Sequence, residues 1–163
     1  MKTYFLLAML CISLCCKAQT ATKFANGIEI NSIKLGYSYT IEELKNILGT
    51  PIRCYTWGEA GEEDSGTSIT FKNVDIRLNY RNIVEYIYAD SSNFTIKPYS
   101  VIKYGEPLSR INEIPNITQK KDGENAIWLY INYADCDPIL VFYNKDTQKI
   151  VGVSAWIDLY DSL

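Results

Sequence analysis

Apolar residues at Ile41, Leu44, Ile47 and Leu48 recur at helical spacing and form one stripe. The stripe opens on Thr40-Ile41-Glu42-Glu43. This is a capping box, in which the threonine oxygen accepts from the Glu43 amide and the Glu43 carboxylate reaches back to the Thr40 amide. Gly49 supplies a stop and Pro51 forbids continuation. Leu108, Ile111 and Ile114, ahead of Pro115, predict a second helix of barely two turns. Elsewhere the period falls to two. Val74, Ile76, Leu78 and Tyr80 alternate with Asp75, Arg77 and Asn79, which predicts a strand with one wet face. Arg81-Asn82 makes a tight turn, and 83–89 returns. Further strands are expected near 52–57, 67–71, 127–133, 139–143 and 149–157, with turn chemistry at 134–138 and 144–148. Helices followed by hairpins, without βαβ crossovers, predict an α+β fold whose helices cover one sheet face.

The pattern echoes itself. Ile33-Lys34-Leu35-Gly36 returns as Ile102-Lys103-Tyr104-Gly105, and Ile83-Val84 returns as Ile150-Val151. Each half runs from a short strand through a glycine turn and a helix into several strands, the order that a duplicated supersecondary unit preserves. The expectation is two tandem helix-plus-antiparallel-sheet units, 33–96 and 97–163, joined into one sheet. An N-terminal segment, 19–32, precedes them.

Gly36-Tyr37-Ser38, Glu42-Glu43-Leu44 and Leu48-Gly49-Thr50-Pro51 resemble the glycine-turn, helix and Leu-Gly-x-Pro signature of the SmpA/OmlA-like envelope proteins. The tandem arrangement looks like the β-lactamase-inhibitor-protein-like fold, in which two such units join their sheets side by side. The resemblance spans most of 33–158 and implies a fold. Members of that family known for inhibition grip a partner protein with the sheet face and loops. No inhibitory loop has a counterpart here, so no functional residue is carried over.

The first residues read as an address. Lys2 is a basic n-region, Tyr4 to Cys16 form an apolar stretch of about 13 residues, and cleavage after Ala18 leaves Gln19 as the new N-terminus, so 1–18 is expected to be a signal peptide. Acylation at Cys15 or Cys16 is the competing reading, although Leu14 and Cys15 are not the small residues that a lipobox wants before its cysteine. No other stretch approaches the roughly 18 apolar residues of a membrane span. The chain is therefore expected to be exported, to the periplasm or outside the cell. Its 163 residues carry 16 basic and 19 acidic side chains, and losing Lys2 and Lys17 leaves 14 basic against 19. That balance argues against a nucleic-acid partner, whose phosphates need a basic stripe.

Composition also narrows the chemistry. With no histidine, the commonest general base and transition-metal ligand is missing, and hydrolysis by Ser-His-Asp or Cys-His is excluded in its usual form. The loop Gly58-Glu59-Ala60-Gly61-Glu62-Glu63-Asp64-Ser65-Gly66 offers four carboxylates, but on a glycine-rich connection rather than in fixed geometry, and it reads as a solvated hairpin loop. It contains no Asp-x-Asp-x-Asp-Gly calcium pattern. Asp135 and Asp137 suit turn formation before Pro138 better than metal binding. Phosphate-cradling glycine motifs are absent. Asn93-Phe94-Thr95 and Asn116-Ile117-Thr118 match the glycosylation acceptor pattern and matter only where that machinery exists. No cofactor, metal or catalytic residue is expected.

Two cysteines, Cys54 and Cys136, survive signal removal. A bridge would close a loop of 82 residues and contribute about 4 kcal/mol in the chain-entropy account. Two thiols standing beyond bridging reach is the alternative.

Alternation then picks out a face. If Ile127, Leu129 and Ile131 point to the helices, Trp128 and Tyr130 point away. On the last strand Val151, Val153, Ala155 and Ile157 take the core side, which leaves Ser154 and Trp156 opposite. The repeat correspondence puts Glu85, Ile87 and Ala89 on that outer face near Arg77. Trp128, Tyr130, Trp156 and Arg77 are thus the candidate partner-binding residues, since Trp, Tyr and Arg are typical interface anchors. The expected function is a non-enzymatic binding protein that grips a protein partner. A carbohydrate-binding or envelope-scaffolding module using the same rings is the alternative.

Overall fold

The computed structural model describes residues 27–59, 61–62, 64–131 and 139–157. The expected signal peptide with its cut after Ala18, the acylation candidates Cys15 and Cys16, and the turn residues Asp135, Cys136 and Asp137 lie outside them.

Eleven strands occur among these residues: β1 (Glu29–Ile30), β2 (Ile33–Lys34), β3 (Arg53–Trp57), β4 (Gly66–Phe71), β5 (Val74–Asn79), β6 (Val84–Ala89), β7 (Ile96–Lys97), β8 (Ile117–Asp122), β9 (Ala126–Ile131), β10 (Ile139–Asn144) and β11 (Lys149–Trp156). Eight form one sheet in the order β3-β4-β5-β6-β11-β10-β9-β8, and a small sheet has the order β2-β1-β7. The described residues are mainly β, with one α-helix among them, α1 (Ile41–Leu48), and a 3-10 helix, Leu108–Glu113.

Register explains where the core sits. Directly opposed residues share a face, and one row crosses the sheet as Cys54, Ile69, Ile76, Ile87, Ala155, Ile139, Leu129 and Gln119. Its six central members are fully buried, and only the two ends are exposed. Leu44 of α1, Ile111 of the 3-10 helix, and Ile28, Ile30, Ile33 and Ile96 around the small sheet join the same cluster. They cover this inner face, and each buried aliphatic side chain contributes about 1.5–3 kcal/mol of transfer free energy.

Helix α1 begins and ends as its sequence dictates. The Glu43 amide donates to Thr40 Oγ1 at 3.2 Å and the Thr40 amide donates to Glu43 Oε2 at 2.8 Å. Gly49, at φ 88°, bonds back to the Lys45 carbonyl. The stripe is only partly used, however. Leu44 is fully buried, whereas Ile41 and Ile47 are exposed.

The second helix is 3-10 rather than α. Its apolar residues recur every three positions, the period at which a 3-10 helix stacks side chains in one line, and Ile111 and Ile114 are buried accordingly. The expected strand at Ile102 is a turn, with the Ile102 amide donating to the Tyr99 carbonyl at 3.0 Å. The expected unit boundary between 96 and 97 falls inside β7, which pairs with β1.

Both central strands carry an irregularity that resets their faces. Leu78 pairs with Val84 but Arg77 with Tyr86, so Glu85 is an extra residue. Ile87 and Ala89 therefore turn into the core, and Tyr86 and Tyr88 turn outward, the reverse of the expected assignment. Tyr143 pairs with Ile150 but Phe142 with Gly152, which makes Val151 the extra residue. Ile150 is then fully buried and Val151 is only half-buried, against the expectation for Val151.

One bonding pattern occurs twice. The Gly36 amide donates to the Val84 carbonyl while the Val84 amide donates to the Tyr37 carbonyl, both at 2.9 Å. The Gly105 amide donates to the Ile150 carbonyl at 2.8 Å, and the Ile150 amide donates to the Glu106 carbonyl at 2.9 Å. Both glycines need positive φ, 79° and 78°, which L side chains rarely adopt.

Candidate functional site

The outer face of the sheet collects the aromatic residues. Arg77, Tyr86 and Trp156 stand opposite one another on β5, β6 and β11. One row along, Asp75, Tyr88, Ser154, Leu140 and Trp128 run from β5 to β9. Trp156 reaches over β10 to meet Trp128, with ring centroids 4.7 Å apart and planes at 81°. Tyr88 meets Phe142 edge-on at 5.5 Å. Both tryptophans, both tyrosines, Leu140 and Phe142 are half-buried, so each keeps part of its surface open.

Electrostatics give this face a polarity. The Arg77 guanidinium sits 5.3 Å from the centre of the Tyr86 ring, and no carboxylate of a described residue forms an ion pair with it. Burial raises the Tyr86 phenol above its usual pKa, opposed by Arg77 and by a hydrogen bond from Ser154, a residue that is 1% exposed. Burial also pushes Tyr88 up to about 12, helped by the Asp90 charge and the 3.3 Å bond that the Tyr88 hydroxyl donates to Asp90. Both phenols are neutral at physiological pH; the Tyr88 hydroxyl gives its one proton to Asp90, whereas the Tyr86 hydroxyl, which accepts from Ser154, keeps its own to donate.

The structure brings Trp128, Trp156 and Arg77 onto one face, as alternation predicts. Tyr130 shares that face on β9 and is 37% exposed. Four contributors escaped the sequence reading: Tyr86, Tyr88, Leu140 and Phe142. The alternation in Tyr86-Ile87-Tyr88-Ala89 and in Ile139-Leu140-Val141-Phe142 carries the signal, once each strand is read from its own residues.

Other candidates separate. Cys54 is a free, exposed thiol on β3. Cys136, the other cysteine of the possible bridge, lies outside the described residues. In the acidic loop the Glu62 amide donates to the Glu59 carbonyl and the Ser65 hydroxyl donates to the Glu62 carbonyl; Ala60 and Glu63 lie outside the described residues. Among the described residues no three His, Cys, Asp or Glu side chains gather as metal ligands. A shallow cleft of about 260 Å³ lies beside the 3-10 helix, lined by Leu108, Ile111, Asn112, Gln119, Ile127 and Gln148. Among the described residues no helix is long and apolar enough to cross a membrane.

No family model matches the chain, and no curated protein matches it. Two of the distantly similar solved structures illustrate the likeness. One is a cysteine-rich secretory protein from Staphylococcus aureus, at 16% identity and a TM-score of 0.46. The other is an extracellular protein containing a SCP domain from Bacillus anthracis, at 16% identity and a TM-score of 0.43. Each match covers 76% of this chain and 44% of the other, so this chain corresponds to less than half of either protein. A likeness this distant carries no functional argument.

Proposed function

We propose that this is an exported, non-enzymatic binding protein that holds a protein partner against the outer sheet face. The observation that supports it is the aromatic array Tyr86, Tyr88, Trp128 and Trp156 beside an arginine with no carboxylate partner among the described residues. Large half-buried rings close on a partner at little entropic cost, and the charged Arg77 and Asp75 stand to one side of them, as at an interface rim. Export rests on the Lys2 n-region and the apolar run before Ala18, with periplasm or extracellular space as the destination and acylation at Cys15 or Cys16 as the alternative.

The same reading takes the chain as two tandem units. In its support, the glycine-turn bonds to Val84 recur at Ile150, and the central pairing is self-symmetric, Ile87 with Ala155 and Ala89 with Val153. This keeps the resemblance to the β-lactamase-inhibitor-protein-like and SmpA/OmlA-like proteins as part of the proposal.

The test is affinity capture with residues 19–163 as bait against native envelope and secreted fractions, with a Trp128→Ala/Trp156→Ala double variant as control. A protein enriched on the wild type and lost on the variant supports the proposal. With no enrichment the protein-partner reading fails. A tryptophan-fluorescence titration against a glycan panel then decides the carbohydrate alternative, which the same half-buried rings favour.

A further inference from the structure

The large sheet ends on two unlike edges. Strand β8 is guarded by its own composition, with Lys120, Lys121 and Asp122 in sequence, the charged character that blunts an open strand. Strand β3 carries a single charge, Arg53, at its first position. Among the described residues it pairs with β4 alone, in regular register from Arg53–Thr70 to Trp57–Gly66, and it contains no lysine, proline or bulge. Its side chains are mostly exposed, with Tyr55 at 56% and the preceding Ile52 at 72%. Ile41 and Ile47 of α1, just ahead of it in the chain, are exposed as well. Among the described residues, half the backbone donors and acceptors of β3 thus face outward beside exposed apolar side chains.

We propose that this edge pairs antiparallel with β3 of a second copy, giving a twofold dimer whose sheet runs continuously through both chains. The sequence of β3 is self-complementary in that orientation. With Tyr55 on the axis, Tyr55 stands beside Tyr55 of the partner subunit, Arg53 opposes Trp57 of the partner subunit, and Cys54 opposes Thr56 of the partner subunit. No like charges meet, and each copy places a guanidinium against an indole, a favourable cross-strand pair. A twofold interface requires this reciprocity. Tyr55 continues the row Ser68, Arg77, Tyr86 and Trp156 and so shares their face, but it stands two strands beyond Arg77, at the sheet's end.

Sedimentation equilibrium on residues 19–163, in reductant so that no Cys54 disulfide contributes, tests the proposal from about 5 µM to about 500 µM, where weak associations register. The expected result is a weight-average mass that climbs toward twice that of the monomer. Tyr55→Lys should weaken association by about tenfold or more by setting two lysines across the axis. Tyr104→Lys, at an exposed tyrosine in a turn off the edge, should leave association unchanged. A monomer throughout the range overturns the proposal, as do equal effects of the two variants. Should Tyr55→Lys fail to fold, hydrogen exchange on the wild type decides: amides of 53–57 gain protection with concentration, and constant protection overturns the proposal.

Discussion

Trp156 and Trp128 meet edge to face although a whole strand, β10, runs between their backbones. Only residues that share one sheet face can do this, so the contact itself fixes the parity of β9 and β11. Because Leu140, which pairs with Trp128, also points to that face, the two indoles close over an apolar floor.

Either Trp156→Ala or Trp128→Ala breaks the pair. The expected loss is about 0.5–1.5 kcal/mol of stability beyond the area term, with the strand content of the far-UV spectrum retained. Two indoles this close couple excitonically, so either variant should abolish the same circular-dichroism couplet. If Trp156→Ala unfolds the chain, that residue belongs to the core and the binding site is misplaced.

Tyr88 should be among the last tyrosines to ionise. Its folded pKa, pushed up to about 12, exceeds the ordinary value of 10.0. Between those values the folded state holds the proton more tightly than the unfolded chain does. The stability linked to Tyr88 is therefore intact below pH 10 and lost as pH rises toward 12. Asp90→Ala removes a charge and a hydrogen-bond acceptor that both raise this pKa, so the last step of an ultraviolet phenolate titration should move to lower pH.

The cap of α1 has the opposite sign. Hydrogen bonds from the Thr40 backbone and side chain hold the Glu43 carboxyl below its ordinary value. Its contribution is present above that ordinary value and lost as pH falls through the folded one. Thr40→Ala should cost about 1 kcal/mol and raise the Glu43 pKa in a carboxylate NMR titration.

Gly66→Ala tests the junction of β3 and β4. A β-carbon there would collide with the Trp57 indole and the Leu78 carbonyl. Overpacking of this kind costs about 1–3 kcal/mol, and the melting temperature should fall by several degrees. Trp57→Ala in the Gly66→Ala background removes one of the two collisions and should recover part of the loss.

Much of the fold is legible in the residues. Val74-Asp75-Ile76-Arg77-Leu78 alternates without interruption and forms a strand with the expected faces. The cap, stop and proline around α1 act locally and need no tertiary information. Strand β8 escaped notice because Ile117-Thr118-Gln119-Lys120-Lys121-Asp122 is polar, as an exposed edge can be, and leaves no apolar period to read. The face of β6 was inverted for a different reason. One extra residue, Glu85, reverses every position after it, and a shift of one residue is invisible in composition. The candidate site is legible at Trp128, on a regular strand, and at Trp156, whose alternation with Val153, Ala155 and Ile157 follows the Val151 bulge, and it is illegible at Tyr86 and Tyr88 beyond the bulge at Glu85.

The seam between β6 and β11 has a kinetic consequence. Every other pairing in the large sheet joins strands that are consecutive in the chain, so those hairpins can form early at small entropic cost. Ala89 and Val153, by contrast, are paired across 64 residues. Closing that loop comes before any reward from the pairing, which places the seam at the folding barrier. Truncations at Ala155 or Ile87 should therefore slow folding more than they speed unfolding, whereas truncations at the outer strands should act chiefly on the rate of unfolding.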